Sequence, residues 1–262
     1  MWSIHSLDRV IFLLALRKTV NPTIKVFADN PAVALEFARD FVELLKSLTA
    51  TQPQVTVSLS GGSTPKLLFE ILANQFATDV PWNQVHFFWG DERCVPPEDE
   101  QSNFGEANKS FLSKIEIPSE NIHRVIGESA PSDERIRYGE LISSIVTNDE
   151  NGVPKFDIML LGMGGDGHTA SIFPHQIELL NTDDICDVAT HPESGQQRIT
   201  ITGKVLNASS RVFYLITGAG KSQVLGEILA KTAGHASYPV SHVMPEGRTT
   251  FYLDEAAASH LS

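Results

Sequence analysis

Short apolar runs alternate with longer amphipathic stretches along most of the chain. Ile24–Phe27 reads as a strand, and Asn30-Pro31 gives an N-cap and first-turn signal. Val33, Phe37, Phe41, Leu44, Leu45 and Leu48 then fall at helical spacing, one stripe to bury. Val55–Leu59 predicts a second strand and Ser60–Thr64 a tight loop, and Pro65 opens a helix carrying Leu67, Leu68, Ile71 and Leu72. Val85–Trp89 predicts a strand that runs into Gly90-Asp91-Glu92-Arg93, and Ser132 is expected to cap a helix to about Val146. Phe156–Leu161 is apolar, the mark of a strand covered on both faces. Ile199–Ile201, Val212–Ile216 and Thr250–Leu253 complete the strands, with a helix ending near Ala230 and another closing the chain.

Repeated β-loop-α units predict an α/β fold: a mainly parallel β-sheet with helices on both faces. In such sheets ligands bind beyond the carboxyl ends of the strands, where strand order reverses. The glycine-rich polar segments all follow strands, so they are expected to converge on one cleft. We see no repeat and no long linker, and expect a single α/β domain over residues 21–262. Residues 1–20 read as an N-terminal extension. Its apolar run, Val10–Leu16, has seven residues against the roughly 20 needed to span a bilayer. Asp8 and Arg9 precede the run and no small-residue cleavage site follows it, which argues against a targeting peptide.

Composition narrows the partners. Of 262 residues, 20 are Lys or Arg and 32 Asp or Glu, a net charge of −12 that repels nucleic acid and anionic membranes. A small anion is still admissible where the site is locally positive. Two cysteines, Cys94 and Cys186, cannot build a disulfide scaffold. A soluble cytoplasmic protein, monomeric or a small homo-oligomer, is the expectation.

Four segments carry candidate chemistry. Gly61, Gly62, Ser63 and Thr64 lie between a strand and a helix start, where free N–H groups and the helix dipole favour an anion. The spacing is not that of a Walker A loop, which points to a simple phosphate instead of a nucleoside triphosphate. Arg93 is suited to clamp a phosphate, with Asp91 or Glu92 holding Arg93 or a substrate hydroxyl. Lys221 sits at a helix start where the dipole disfavours a cation, a hint of a bound anion. Asp166-Gly167-His168 is the sharpest signal: of nine histidines, His168 alone follows a strand end through a glycine turn. It is a candidate proton carrier, with Asp166 orienting its ring or binding substrate. Gly162–Gly167 matches G-x-G-x-x-G, but Pro174 falls too soon for the long helix a dinucleotide site needs. No metal-ligand spacing occurs, and no G-x-S-x-G elbow supports a Ser nucleophile.

Taken together, four ordered motifs resemble the 6-phosphogluconolactonase family, within the glucosamine-6-phosphate isomerase/deaminase-like superfamily. They are Leu59–Pro65, Trp89–Arg93, Gly162–Pro174, and Arg198-Ile199-Thr200 with Gly218–Lys221. The resemblance implies a Rossmann-like fold and hydrolysis of a small sugar-phosphate lactone, 6-phospho-D-glucono-1,5-lactone, in the pentose phosphate pathway, without metal or organic cofactor. It implies His168 as general base, Asp166 as its support and amides of the glycine turn as oxyanion donors. It places the phosphate on Arg93, Lys221 and the Gly61–Thr64 loop, with Arg198 a further contact. The sister deaminases resemble Asp-Glu-Tyr where this chain has Asp91-Glu92-Arg93, and carry a catalytic Glu where it has Phe173. A deaminase-like isomerase and a non-catalytic sugar-phosphate sensor are the alternatives.

Overall fold

The computed structural model describes residues 21–261; the expected N-terminal extension over residues 1–20 lies outside the described residues. The strands are β1 (Thr23–Phe27), β2 (Val55–Leu59), β3 (Val85–Trp89), β4 (Asp91–Arg93), β5 (Ile158–Leu161), β6 (Cys186–Thr190), β7 (Gln197–Ile201), β8 (Val212–Ile216) and β9 (Thr249–Asp254). Six form a sheet in the order β1-β9-β8-β5-β2-β3, every pairing parallel.

Alternate residues of β5 enter different cores, which is why its sequence is apolar without a break. Ile158 and Leu160 of β5 join one cluster, Met159 and Leu161 the other. On the first face lie α1 (Asn30–Thr49), α2 (Ser63–Gln75) and α3 (Asn103–Ser110); on the second lie α4 (Pro131–Ile145), α5 (Gly203–Ala208) and α6 (Ser222–Leu229). Helix α1 buries Val33, Phe37, Phe41 and Leu45, with Leu44 and Leu48 at the margin. Burying each large apolar side chain contributes about 1.5–3 kcal/mol.

Several boundaries differ from expectation. Asp29, not Asn30, caps α1, accepting from Ala32 N–H at 2.9 Å. Ser132 lies inside α4, whose N-cap is Ala130 with Pro131 in the first turn. The chain end makes turns, not a helix. The largest difference is a second sheet, β4-β7-β6, wholly antiparallel. Asp91–Arg93, expected only as the polar end of the Val85–Trp89 strand, is the edge strand of this second sheet; three residues give too little alternation to see. No helix among the described residues is long and apolar enough to cross a membrane.

Candidate active site

Strand order decides where the cleft opens. From β2 the chain passes through α2 outward to β3, whereas from β5 it moves the opposite way to β8. β2 and β5 are neighbours, so the loops leaving their carboxyl ends diverge and a crevice opens between them. That crevice is a cleft of about 260 Å³ lined by Gly61–Thr64, Asp91, Arg93, Gly164, His168, Arg198 and Lys221. Of the residues singled out from the sequence, all but two line it: Asp166 stands behind the imidazole and Glu92 is turned away. A larger hollow of about 1120 Å³ at the amino ends of β2 and β5 has no histidine or cysteine in its lining.

Two of the three cations of the cleft come from the second sheet, and the third, Lys221, follows β8. Arg93 and Arg198 are direct partners across the antiparallel β4–β7 ladder, so both project to one face. Like charges so placed repel and favour an anion between them. Both guanidinium Nε atoms are buried with no hydrogen-bond partner among the described residues. Burial pulls the Arg198 guanidinium down, opposed by the Asp91 carboxylate and reinforced by Arg93. Lys221 is half-buried and makes no ion pair among the described residues; burial lowers it too, against the pull of Asp254. Partly buried cations with donors left unsatisfied are suited to receive negative charge.

Strand alternation corrects one expectation. Asp91 and Arg93 face the cleft, but Glu92 between them points the other way and is 1% exposed. Glu92 accepts from the N–H groups of Arg93, Asn103 and Phe104, each at 2.8 Å, and from Ser102 Oγ, so it caps α3. Burial raises its carboxyl, and the amide bonds only partly offset this. Neither acid holds Arg93, whose Nη1 donates to the Gln101 carbonyl. Asp91 Oδ2 accepts from Ser171 Oγ at 2.6 Å and lies 4.0 Å from Arg198 Nη1.

The loop after β2 needs its glycines. Gly62 is the N-cap of α2 at φ +115°, and no side chain caps the helix. A Cβ on Gly61 would stand 1.8 Å from Asn103 Oδ1. The first-turn amides of α2 therefore open onto the cleft.

His168 is fixed by its own turn. Its Nδ1 lies 2.6 Å from Asp166 Oδ1, which also accepts from the His168 N–H at 3.2 Å. Burial alone would raise Asp166, but these hydrogen bonds and the nearby imidazole hold its carboxyl below the usual range. An ionised Asp166 accepts the Nδ1 proton, leaving Nε2 with its lone pair; Nε2 has no partner among the described residues. Gly164 N–H donates to the His168 carbonyl at 2.9 Å and Gly167 N–H to Gly164 at 3.1 Å. Those two amides are committed inside the turn, which removes them from the oxyanion donors expected there. No dinucleotide helix follows; Pro174–Leu180 is a short 3-10 segment.

Two neighbours escaped the sequence reading. Asn103 lines the cleft beside Gly61, and its Nδ2 donates to the Asp91 carbonyl at 2.9 Å. Ser171 is fully buried and ties Asp91 to Arg198. Ser102 is readable as the cap of α3, but nothing local places that helix against the cleft. Among the described residues no group of three or more His, Cys, Asp or Glu side chains is arranged to hold a metal.

A doubly wound α/β sheet whose switch point offers a small-anion cleft beside a His–Asp pair is the class defined by fold and site. Comparison with known proteins is more specific. The profile described as glucosamine-6-phosphate isomerases/6-phosphogluconolactonase matches residues 28–252. A 6-phosphogluconolactonase of Haemophilus influenzae is 47% identical over 205 residues, 78% of this chain and 86% of that protein. A crystal structure of devB protein is 43% identical with a TM-score of 0.84, covering 92% of this chain and 99% of the other. A 6-phosphogluconolactonase from Trypanosoma brucei is 28% identical with a TM-score of 0.81, covering 93% and 100%. The chain belongs to the glucosamine-6-phosphate isomerase/6-phosphogluconolactonase family.

Proposed function

We propose that the chain is a carboxylic ester hydrolase that converts 6-phospho-D-glucono-1,5-lactone to 6-phospho-D-gluconate in the oxidative pentose phosphate pathway, in the cytoplasm. The carrying observation is an imidazole anchored at Nδ1, its other nitrogen unpartnered, lining the same cleft as three cations. The names of the relatives point the same way.

In this reading the phosphate, with about −1.5 to −2 charges near neutrality, is held by Arg93, Arg198, Lys221 and the α2 amides. His168 Nε2 takes a proton from water as the oxygen attacks the lactone carbonyl. The carbonyl becomes a tetrahedral oxyanion, stabilised by donors lining the cleft. As the oxyanion collapses, the C–O bond to the ring oxygen breaks and the imidazolium gives that oxygen its proton. Asp166 keeps the ring in the required tautomer and stabilises its charged form.

Phe173 argues against the sister chemistry. It is fully buried with its ring centroid 4.7 Å from that of His168, and carries no carboxylate to relay a proton. The test is hydrolysis of the lactone above its spontaneous rate, followed by coupled oxidation of the 6-phosphogluconate formed. His168→Ala is expected to lose at least about 100-fold in kcat while still binding phosphate. Parent-like turnover in that variant would remove the general-base assignment. Ammonia release from glucosamine 6-phosphate would favour the deaminase, and lactone binding without turnover by the parent a sensor.

A further inference from the structure

Phe173 is buried against two residues that line the cleft, His168 and Arg198. Its buried ring lies 4.7 Å, centroid to centroid, from the His168 imidazole, the planes tilted by 54°. The guanidinium carbon of Arg198 stands over the same ring, 5.6 Å from its centroid. His175 stacks at 5.8 Å and His191 meets it edge-on at 5.4 Å. One π system thus touches the proposed base and a proposed phosphate arm. Aromatic rings attract cations at these distances, most strongly where water is excluded.

We propose that Phe173 is a positioning residue whose π electrons seat the Arg198 guanidinium and favour the protonated form of His168. The ring then couples substrate grip to proton affinity: the surface that holds the arm also supports the imidazolium formed when water is deprotonated. The kinetic part of this inference rests on the lactonase reading; the titration of His168 does not.

Other charged groups also face His168. Asp166 is on its own turn, Asp91 comes from β4, Arg198 from β7, and Arg93 and Lys221 line the same cleft. Beyond Phe173 lie exposed His175 and half-buried His191, and the Nδ1 of His191 accepts from the N–H groups of Glu193 and Ser194. A decisive test therefore changes the electrons of the ring and leaves every charge in place.

Mono-, di- and trifluorinated phenylalanine at position 173 of the full chain meets that need. The His168 resonance, identified by its loss in His168→Ala, is titrated by NMR. The imidazole pKa is expected to fall stepwise, by roughly half to one unit at the most fluorinated ring. The acid limb of kcat/KM moves to lower pH in parallel, and KM rises several-fold as Arg198 loosens. Phe173→Leu, confirmed as folded by circular dichroism, gives the end point, and restoring an unfluorinated ring restores the parent titration. A flat His168 pKa across the series overturns the inference and leaves Phe173 a steric prop. If His168→Ala turns over like the parent, the general-base reading fails, but the titration still decides the role of the ring.

Discussion

Gly164→Ala tests the geometry of the His–Asp pair with one methyl group. A Cβ at this position would lie 2.2 Å from Cε1 and Nδ1 of His168 and 2.7 Å from Asp166 Oδ1. Ordinary contact begins near 3.4 Å, so the ring must retreat by about 1.2 Å (3.4 minus 2.2). Gly164 is not among the positive-φ glycines, so the substitution adds bulk without backbone strain. Misplacing a reacting group by about 1 Å costs on the order of 100-fold in rate. The expected result is a kcat about 100-fold below the parent, with KM changed only a few-fold because the cations are untouched. Gly165→Ala is the internal control: its Cβ would meet only Gly220 O at 3.7 Å, and turnover should stay near the parent. Lactone hydrolysis coupled to 6-phosphogluconate oxidation reads both variants, with thermal melting to confirm folding. Parent-like kcat in Gly164→Ala would show that the imidazole does not need its present seat, and the argument from Nδ1 anchoring would fail.

Lys221→Met keeps the apolar stem and removes the charge. Losing a charge-assisted hydrogen bond of about 1.5–3 kcal/mol should raise KM for the phosphorylated lactone roughly 10–100-fold. Unphosphorylated glucono-1,5-lactone should be turned over equally by parent and variant; an equal loss on both substrates would take Lys221 off the phosphate. A separate prediction concerns buried His123, whose Nε2 lies 2.9 Å from Nδ1 of half-buried His86. Burial, helped by His86, holds the His123 imidazole down to about 4 against an ordinary 6.5. The unfolded chain therefore takes up this proton first as pH falls, and stability is lost from about pH 6.5 down to about pH 4. The loss is roughly 3 kcal/mol for this site. Urea unfolding at pH 7 and pH 4 should show it in the parent, and His123→Gln should flatten the slope; an unchanged slope would refute the assignment.

Most of the parallel sheet is legible in the chain because its strands are short β-rich runs between amphipathic stretches, and those at its centre, β5 and β8, are nearly all apolar. The site is legible for a related reason: Gly61–Thr64, Asp166–His168 and Lys221 follow such strands directly, so their place at one edge of the sheet comes with the topology. What local pattern does not carry is the second sheet. β4 has three residues, one of them the acid Glu92, and its partners lie far along the chain. Hence the opposite directions of Asp91 and Glu92, the pairing of Arg93 with Arg198, and the bridging by Ser171 appear only in three dimensions. Asn103 was hidden similarly: capping chemistry marks its helix, but only tertiary packing lays it against Gly61.

The Arg93–Arg198 ladder has a consequence for how the molecule matures. Neither guanidinium reaches its place until two distant stretches of backbone have zipped together, and that zipper must also close over the finished edge of the main sheet. Long-range closure of this kind is the slow part of assembly. Refolding chains should regain tryptophan fluorescence from Trp82, inside the first-face core, before they regain turnover. Recovered catalysis would then serve as a clock for the last seam to shut.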